Sequence, residues 1–143
     1  MFVEFKDLEV WKLAYDFTLK IYKVVEPFPS YEDNNIKSQL RRAATSLPLN
    51  ISEGSGANTA KMFMTYLIFA YRSTKELETL LLLSKDLGYL TPEQFNETMN
   101  ELNVFSTKMR AYMDHIERDY ILKGRNRVPV HIVEKKNRLN QPS

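Results

Sequence analysis

Of all the residues in this sequence, two glutamates on one predicted helix most resemble an acid–base site. Glu76 and Glu78 lie two positions apart, so a helix turns them toward different sides and only one of them can approach the core. A carboxylate that leaves water needs a cationic partner. The candidate partners, and a further acid of the same kind, are Arg41, Arg42, Arg72 and Glu53. Two interpretations stay open: an ion-pair network that sets the register of the helices, or a pocket with acidic and basic walls.

The histidine and cysteine counts argue against metal-dependent and hydrolytic chemistry. The chain has two histidines and no cysteine. Di-iron bundles need Glu-x-x-His on two helices, but Tyr112 stands three residues before His115, and His131 lies near the C-terminus. No Ser–His–Asp set can be built around two such histidines. The sequence therefore predicts no enzyme activity, no metal, no cofactor and no small-molecule substrate.

Basic residues cluster at two places, and both are candidate contacts for RNA or for an RNA-handling partner. Lys37, Arg41 and Arg42 lie within two turns of one predicted helix. Six basic residues and one acid give positions 121–143 a charge of +5, which leaves −3 on the preceding residues because the total is +2. The candidates in this tail are Arg125, Arg127, Lys135 and Lys136. The tail either contacts RNA or only keeps the terminus soluble, and both alternatives stay open.

Four helices must position these side chains. Apolar residues recur every three to four positions, and this spacing predicts helices over residues 7–25, 35–53, 59–87 and 91–120. On the first helix a stripe that contains Trp11, Tyr15 and Tyr22 runs beside a second one, so the buried face is wide. Short turns between the helices predict an all-α, antiparallel up-down-up-down four-helix bundle over residues 1–120. Residues 121–143 are expected to form an extended or disordered basic tail.

Local signals set the ends of the helices and one irregularity. Thr91 and Gln94 form a capping box around a proline. Gly54-Ser55-Gly56 is expected to end the second helix, because glycine tolerates the left-handed conformation. Pro48 lies inside that helix and cannot donate to the carbonyl of Ala44, so a bend is predicted there. In the loop before the second helix, Phe28 and Tyr31 are expected to fold back as a lid on the end of the bundle.

The third helix is apolar on nearly every side. Within residues 62–71 only Thr65 is not hydrophobic, and residues 80–83 are four leucines. A helix that is apolar all round is buried all round, yet a four-helix domain cannot enclose one of its own helices. We therefore expect a subunit interface over part of the third helix. The alternative is that Tyr66 and Tyr71 simply lie on the surface.

The composition is that of a single globular domain. The chain has 143 residues, of which 43% are hydrophobic and 27% are charged. Residues 1–7 contain no basic region followed by an apolar core, as a signal peptide would. No run of about 18 apolar residues is present, so no membrane span is expected. A cytoplasmic location is the expectation.

Several segments together resemble a family of four-helix-bundle proteins encoded in intervening sequences of bacterial 23S rRNA genes. These segments are FKDLEVWKLA (5–14), FP (28–29), SQLRRAATS (38–46), NISEG (50–54), FAYRS (69–73), ELETL (76–80) and GYL (88–90). The resemblance covers about residues 5–118 and implies an antiparallel bundle that assembles into a homopentamer. The chain is also distantly similar to the pentameric accessory bundles of reverse transcriptases in diversity-generating retroelements.

Two functional hypotheses follow. In the first, the protein is a homo-oligomeric binding module that holds RNA or an RNA-handling partner through Arg41, Arg42 and the basic tail. In the second, it is a structural adaptor between proteins, for example accessory to a reverse transcriptase. The adaptor does not bind nucleic acid, and its arginines form ion pairs with Glu53, Glu76 or Glu78.

Overall fold

The described chain is a closed bundle of four long helices. The computed structural model describes residues 4–124. The helices are α1 (Glu9–Val25), α2 (Ile36–Ser55), α3 (Ala60–Asp86) and α4 (Pro92–Ile116). Each helix packs against the next one, and α4 packs back against α1, which confirms the up-down-up-down arrangement. Short 3₁₀ turns at Phe5–Asp7 and Ser30–Glu32 flank α1, and a π-helical turn at Glu117–Ile121 follows α4.

The ends of α3 and α4 form as their sequences predict. The hydroxyl of Thr59 accepts a hydrogen bond of 3.1 Å from the backbone N–H of Met62 at the start of α3. At the start of α4, Thr91 accepts from the N–H of Gln94 at 3.1 Å, and the Gln94 side chain accepts from the N–H of Thr91 at 3.0 Å. This reciprocal pair satisfies two backbone donors that the first turn leaves unpaired.

The side of α1 that enters the core is narrower than the sequence suggests. Tyr15 and Tyr22 are each 47% exposed, although they share helical spacing with buried residues. The adjacent stripe is buried: Val10, Ala14, Phe17 and Ile21. Leu8, Thr18 and Val25 of the first stripe are buried as well, so the positions of the neighbouring helices decide which of its residues face water. The two tyrosines keep their hydroxyl groups near water, where these groups need no protein partner.

Residues 54–56 differ from the prediction in two respects: the residue at which the second helix ends, and the reason why a glycine is required there. α2 continues to Ser55, and Gly56 has an ordinary φ of −86°, so no left-handed residue ends the helix. Gly54 is buried inside the helix. A Cβ atom there would lie 2.8 Å from Cβ of Tyr66 and 2.9 Å from Cδ2 of Phe63. The glycine is therefore required for the close approach of α2 and α3, not for a turn.

The predicted lid forms only in part. Phe28 is buried against the bundle end, with its ring centroid 5.3 Å from that of Tyr89. Tyr31 is exposed instead of folded back. Its hydroxyl meets the Tyr89 hydroxyl at 3.2 Å, and the hydrogen bond to Tyr31 is the main cause of the raised pKa of Tyr89, followed by burial and Glu32. The phenol of Tyr31 stays in water because its polar tip gains little from burial.

Candidate functional site

The predicted network of arginines and glutamates does not form within residues 4–124 of one chain. Glu78 is partly buried, but its partner is Lys75, one turn earlier on the same helix, at 3.3 Å. The expectation of an arginine partner for a core-facing acid is therefore wrong for Glu78, because a lysine three residues away is already in reach. The other acids and arginines of the set are exposed and form no side-chain ion pair in this part of the chain: Glu53, Glu76, Arg42 and Arg72.

The three basic residues of α2 have three different surroundings. The Lys37 ammonium lies 3.3 Å from Asp33 and donates to the Glu26 carbonyl at 3.4 Å, so it ties α2 to the preceding loop. The Arg41 guanidinium lies 6.0 Å from the centroid of the Tyr22 ring. Arg42 is exposed. Arg41 and Arg42 are thus available to an anion, whereas Lys37 is largely occupied. The tail candidates Arg125, Arg127, Lys135 and Lys136 lie outside the described residues.

An aromatic surface beside Arg41 was missed by the sequence interpretation, which assigned its residues to the core. We call Trp11, Tyr15 and Tyr22 the aromatic stripe. The rings of Trp11 and Tyr15 stack with centroids 5.0 Å apart and an interplanar angle of 29°, and Phe5 packs edge-on against Trp11 at 5.2 Å. Their helical spacing was visible in the sequence. What a single sequence does not show is which residues of a stripe face water.

A second exposed surface runs along α3. Phe69 lies seven residues after Met62, Leu83 lies fourteen residues after Phe69, and Leu87 follows Leu83 by one turn; we call these four residues the α3 stripe. They are 45–52% exposed, a large fraction for such side chains. Glu76 occupies the remaining position of the seven-residue repeat. The α3 stripe is therefore an apolar row with one exposed carboxylate in its middle.

The two tyrosines of α3 do not simply lie on the surface. Tyr66 and Tyr71 are both partly buried. The Tyr71 hydroxyl accepts a hydrogen bond of 3.1 Å from Arg110 on α4, and this bond is the main cause of the raised pKa of Arg110. The backbone of α2 packs against Tyr66 at Gly54. The exposed apolar area of α3 thus comes from its aliphatic and phenylalanine side chains.

An open cleft of about 430 Å³ lies on the opposite side of the bundle, between α1 and α4. It is lined by Leu13, Asp16, Phe17, Asn100, Glu101 and Val104. Lys20 bridges the two helices nearby by pairing with Glu97 and, at 3.4 Å, with Glu101. The hydrogen bond with Glu97 is the main cause of the raised pKa of Lys20.

No grouping of the described side chains suits a metal. Within residues 4–124, no three His, Asp or Glu residues come together in a way that could hold an ion. His115 Nδ1 lies 2.7 Å from an Asp119 carboxylate oxygen, a pair within one helical turn. None of the helices in this part of the chain is long and apolar enough to cross a membrane.

The fold defines the chain as a four-helix bundle with exposed aromatic and apolar surfaces and an open cleft between α1 and α4. Comparison with known proteins gives the family. The sequence model described as 23S rRNA-intervening sequence protein matches residues 6–111, so the chain belongs to that family. This result confirms the resemblance of its segments; the distant similarity to retroelement accessory proteins stays a prediction.

A solved structure shows the same fold. It is a crystal structure at 1.70 Å of a protein of unknown function from the S23 ribosomal protein family of Bacteroides thetaiotaomicron. The two chains share 23% identity with a TM-score of 0.66, over 73% of this chain and 97% of that one. A search of curated protein sequences finds no match. Neither description names an enzymatic activity.

Proposed function

We propose that this protein is a non-enzymatic, homo-oligomeric binding module of the cytoplasm that holds RNA or an RNA-handling partner. The observation that carries the proposal is the α3 stripe. Soluble monomers rarely leave several large apolar side chains half exposed along one side of a helix, and such sides mark contact surfaces. Burial of apolar area stabilises association by about 25 cal/mol per Å².

Glu76 gives this surface its specificity. A carboxylate in the middle of an apolar row costs free energy on burial unless a cation meets it. Arg72 is exposed and has no ion-pair partner among the described residues of its own chain. We assign Glu76, with Glu53, to an ion pair with Arg72 on a neighbouring copy. Such a pair fixes the register of two apolar surfaces, as a single polar residue does in a coiled coil.

The cleft between α1 and α4 supplies a different surface on the opposite side of the bundle. A contact between two different surfaces is heterologous, and it closes into a ring when the rotation between copies allows. The exposed Asp16 at the cleft is complementary in charge to Arg72, which lies on α3 three residues after Phe69. This arrangement favours a cyclic assembly, and the family resemblance implies five copies.

Native mass spectrometry of protein purified without nuclease tests the assembly. We expect a fivefold mass for the wild type and a monomer for Phe69→Asp. The control is Ile68→Asp, since Ile68 is similarly exposed on the same helix but off the stripe, and it should keep the assembly. Glu76→Gln should weaken the assembly, whereas Glu78→Gln should not, because Glu78 pairs with Lys75 in its own chain. A monomeric wild type, or equal effects of Phe69→Asp and Ile68→Asp, contradicts the proposal.

RNA is assigned to Arg41, Arg42 and the basic tail, because cations that meet phosphates release counterions and supply most of the affinity. Copurified nucleic acid in the same mass spectra supports this part. Arg42→Gln should weaken RNA binding and reduce the salt slope by about 1. The Arg125→Glu and Arg127→Glu double variant tests the tail in the same titration. If both variants bind RNA with the wild-type salt dependence, this assignment is wrong.

The second candidate is the adaptor without nucleic acid. The charge of −3 on residues 1–120 favours it, since nucleic-acid proteins usually present a basic surface. A fivefold mass free of nucleic acid, together with no RNA retention by the purified protein, selects the adaptor. The search would then turn to protein partners.

A further inference from the structure

We propose that the aromatic stripe and the cations around it form a binding surface for unpaired bases of single-stranded RNA. This inference rests on the proposed function, since it says where RNA binds and which form of RNA is bound. It requires three features of one surface: accessible ring faces, cations along their edges, and few carboxylates between them.

The exposed rings of the stripe are those of Tyr15 and Tyr22, and the half-buried Trp11 ring stacks on Tyr15. Trp11, Tyr15 and Tyr22 lie at positions i, i+4 and i+11 of α1, so they follow one side of the helix over about 16 Å. Leu19 is 51% exposed and fills the gap between the two tyrosines. Proteins that bind single strands stack successive bases on aromatic side chains of this kind, and every base has a ring face to offer.

The cations lie on the two flanks of the stripe. On the α2 side, the Arg41 guanidinium lies 6.0 Å from the centroid of the Tyr22 ring. On the solvent side of α1, Lys12 and Lys23 directly follow Trp11 and Tyr22 and are exposed. A strand whose bases stack on the stripe can therefore place its phosphates against basic groups on either side.

One acid of α1 lies away from the stripe and one lies near its cations. Glu9 forms an ion pair at 3.4 Å with Lys108 of α4. Asp16 lines the cleft between α1 and α4, but it is exposed and lies one turn after Lys12, so one carboxylate stands in the row of Lys12 and Lys23. The two lysines outnumber it, and exposed aromatic rings beside a net positive row favour RNA over an acidic protein surface, which would also need a fixed complementary shape.

The stripe also differs from the surface assigned to the neighbouring copy. The α3 stripe is made of aliphatic side chains, a phenylalanine and one carboxylate, a composition suited to a dry contact. The rings of Tyr15 and Tyr22 carry polar tips and lie beside arginine, a combination that favours stacking with planar, hydrogen-bonding bases.

Trp11 makes the test direct because it is the one tryptophan of the chain. The full-length protein is titrated with a fluorescently labelled 12-nucleotide single-stranded RNA and with the blunt duplex of the same sequence, at the same salt concentration. Anisotropy of the label gives the affinity, and tryptophan emission reports stacking at the stripe. We expect the single strand to quench the emission and to bind at least tenfold more tightly than the duplex.

Substitutions of the two tyrosines distinguish base stacking on the rings from burial of apolar side chains. Tyr15→Leu and Tyr22→Leu keep apolar volume but remove the ring, and each should weaken single-strand binding about tenfold while duplex binding stays unchanged. Tyr15→Phe and Tyr22→Phe keep the ring and should bind within about twofold of the wild type. Tyr31→Leu is the matched control, since Tyr31 is an exposed tyrosine at the end of the bundle.

The remaining outcomes distinguish this inference from the proposed function. If both forms of RNA bind equally without quenching the emission, the protein binds RNA but the stripe does not stack bases, and only this inference is overturned. If no RNA binds, this inference and the assignment of RNA to the protein are both overturned, while the oligomer is tested separately by native mass spectrometry. If Tyr22→Leu dissociates the oligomer in native mass spectrometry, the stripe contacts a second copy, and this inference is again overturned.

Discussion

The hydroxyl of Thr18 on α1 donates a hydrogen bond of 2.9 Å to the carbonyl oxygen of Ala44 on α2. This is the carbonyl that loses its helical donor to Pro48, because proline has no N–H. The same hydroxyl lies 2.8 Å from the Ala14 carbonyl of its own helix. α2 passes through Pro48 without interruption. The Thr18 hydroxyl on α1 therefore replaces the backbone donor that Pro48 removes from α2. This contact holds the two helices in the register that brings Tyr22 to Arg41.

Thr18→Val should destabilise the protein by about 1–3 kcal/mol, since the new side chain keeps the shape but leaves the Ala44 carbonyl buried and unpaired. In a Pro48→Ala background the restored N–H can donate to that carbonyl, so the same substitution should cost less. Urea unfolding of the wild type, the two single variants and the double variant, all at one protein concentration, gives the coupling free energy between Thr18 and Pro48. An equal cost in both backgrounds would show that Pro48 and Thr18 are independent.

Gly54→Ala should destabilise the bundle by about 1–3 kcal/mol, because the added methyl group meets Tyr66 and Phe63 at less than 3 Å and forces α2 and α3 apart. Gly56→Ala is the matched control. Its nearest neighbour would be the Glu53 carbonyl oxygen at 3.5 Å, an ordinary contact, and its φ is one that alanine adopts. Unfolding midpoints that fall equally for both variants would contradict the close-approach role of Gly54.

Thr91→Ala should cost about 1 kcal/mol, since it removes the acceptor for the Gln94 N–H and breaks the capping box of α4. Thr107→Ala is the control, because Thr107 is exposed in the middle of the same helix and alanine has the higher helix propensity. Thermal unfolding followed by circular dichroism compares the two. A Thr91→Ala chain as stable as the wild type would mean that the cap contributes nothing to the folded state.

The ion pairs of Lys20 should make stability depend on alkaline pH. The pKa of Lys20 is raised above its ordinary 10.5, so the folded chain holds this proton more tightly than the unfolded chain. The contribution is therefore complete below pH 10.5 and is lost as the pH rises through the higher folded-state pKa. Because Glu97 and Glu101 are largely exposed, it should not exceed about 1 kcal/mol.

Lys20→Met measures this contribution. The difference in unfolding free energy from the wild type should be smaller at pH 11 than at pH 7, and it should also shrink when salt is added at pH 7. Lys61→Met serves as the control, because Lys61 is exposed and forms no ion pair within residues 4–124. A Lys20→Met difference that grows with pH has the wrong sign for this explanation.

Most of the fold could be predicted from the sequence. The cap at Thr91 and the boundaries of α3 depend on contacts within one turn of the chain, and the structure confirms them. The prediction of a lid was correct for Phe28, which is hydrophobic and buried, and wrong for Tyr31, which stays exposed. Gly54-Ser55-Gly56 does end α2, but the predicted left-handed conformation was wrong, because a glycine needed for contact with another helix looks the same in a sequence as one needed for a turn.

Less of the candidate site could be predicted from the sequence. Arg41 and Arg42 were identified by their charge, but their different surroundings depend on where Tyr22 lies. The aromatic stripe was assigned to the core, and Glu78 was given an arginine partner when a lysine on its own helix was closer. The role of Arg125 and the rest of the basic tail lies outside the described residues and stays a prediction.

The sequence by itself determined the four helices, their caps, their order and the surplus of apolar residues on α3, since periodicity and capping act within a few turns of one segment. Only the tertiary structure decided which residues of the two apolar stripes of α1 face water, which carbonyl receives the Thr18 hydroxyl, and which charges are left unpaired. The physical reason is that exposure and pairing are properties of two or more segments together. They depend on distances between helices that no single segment encodes.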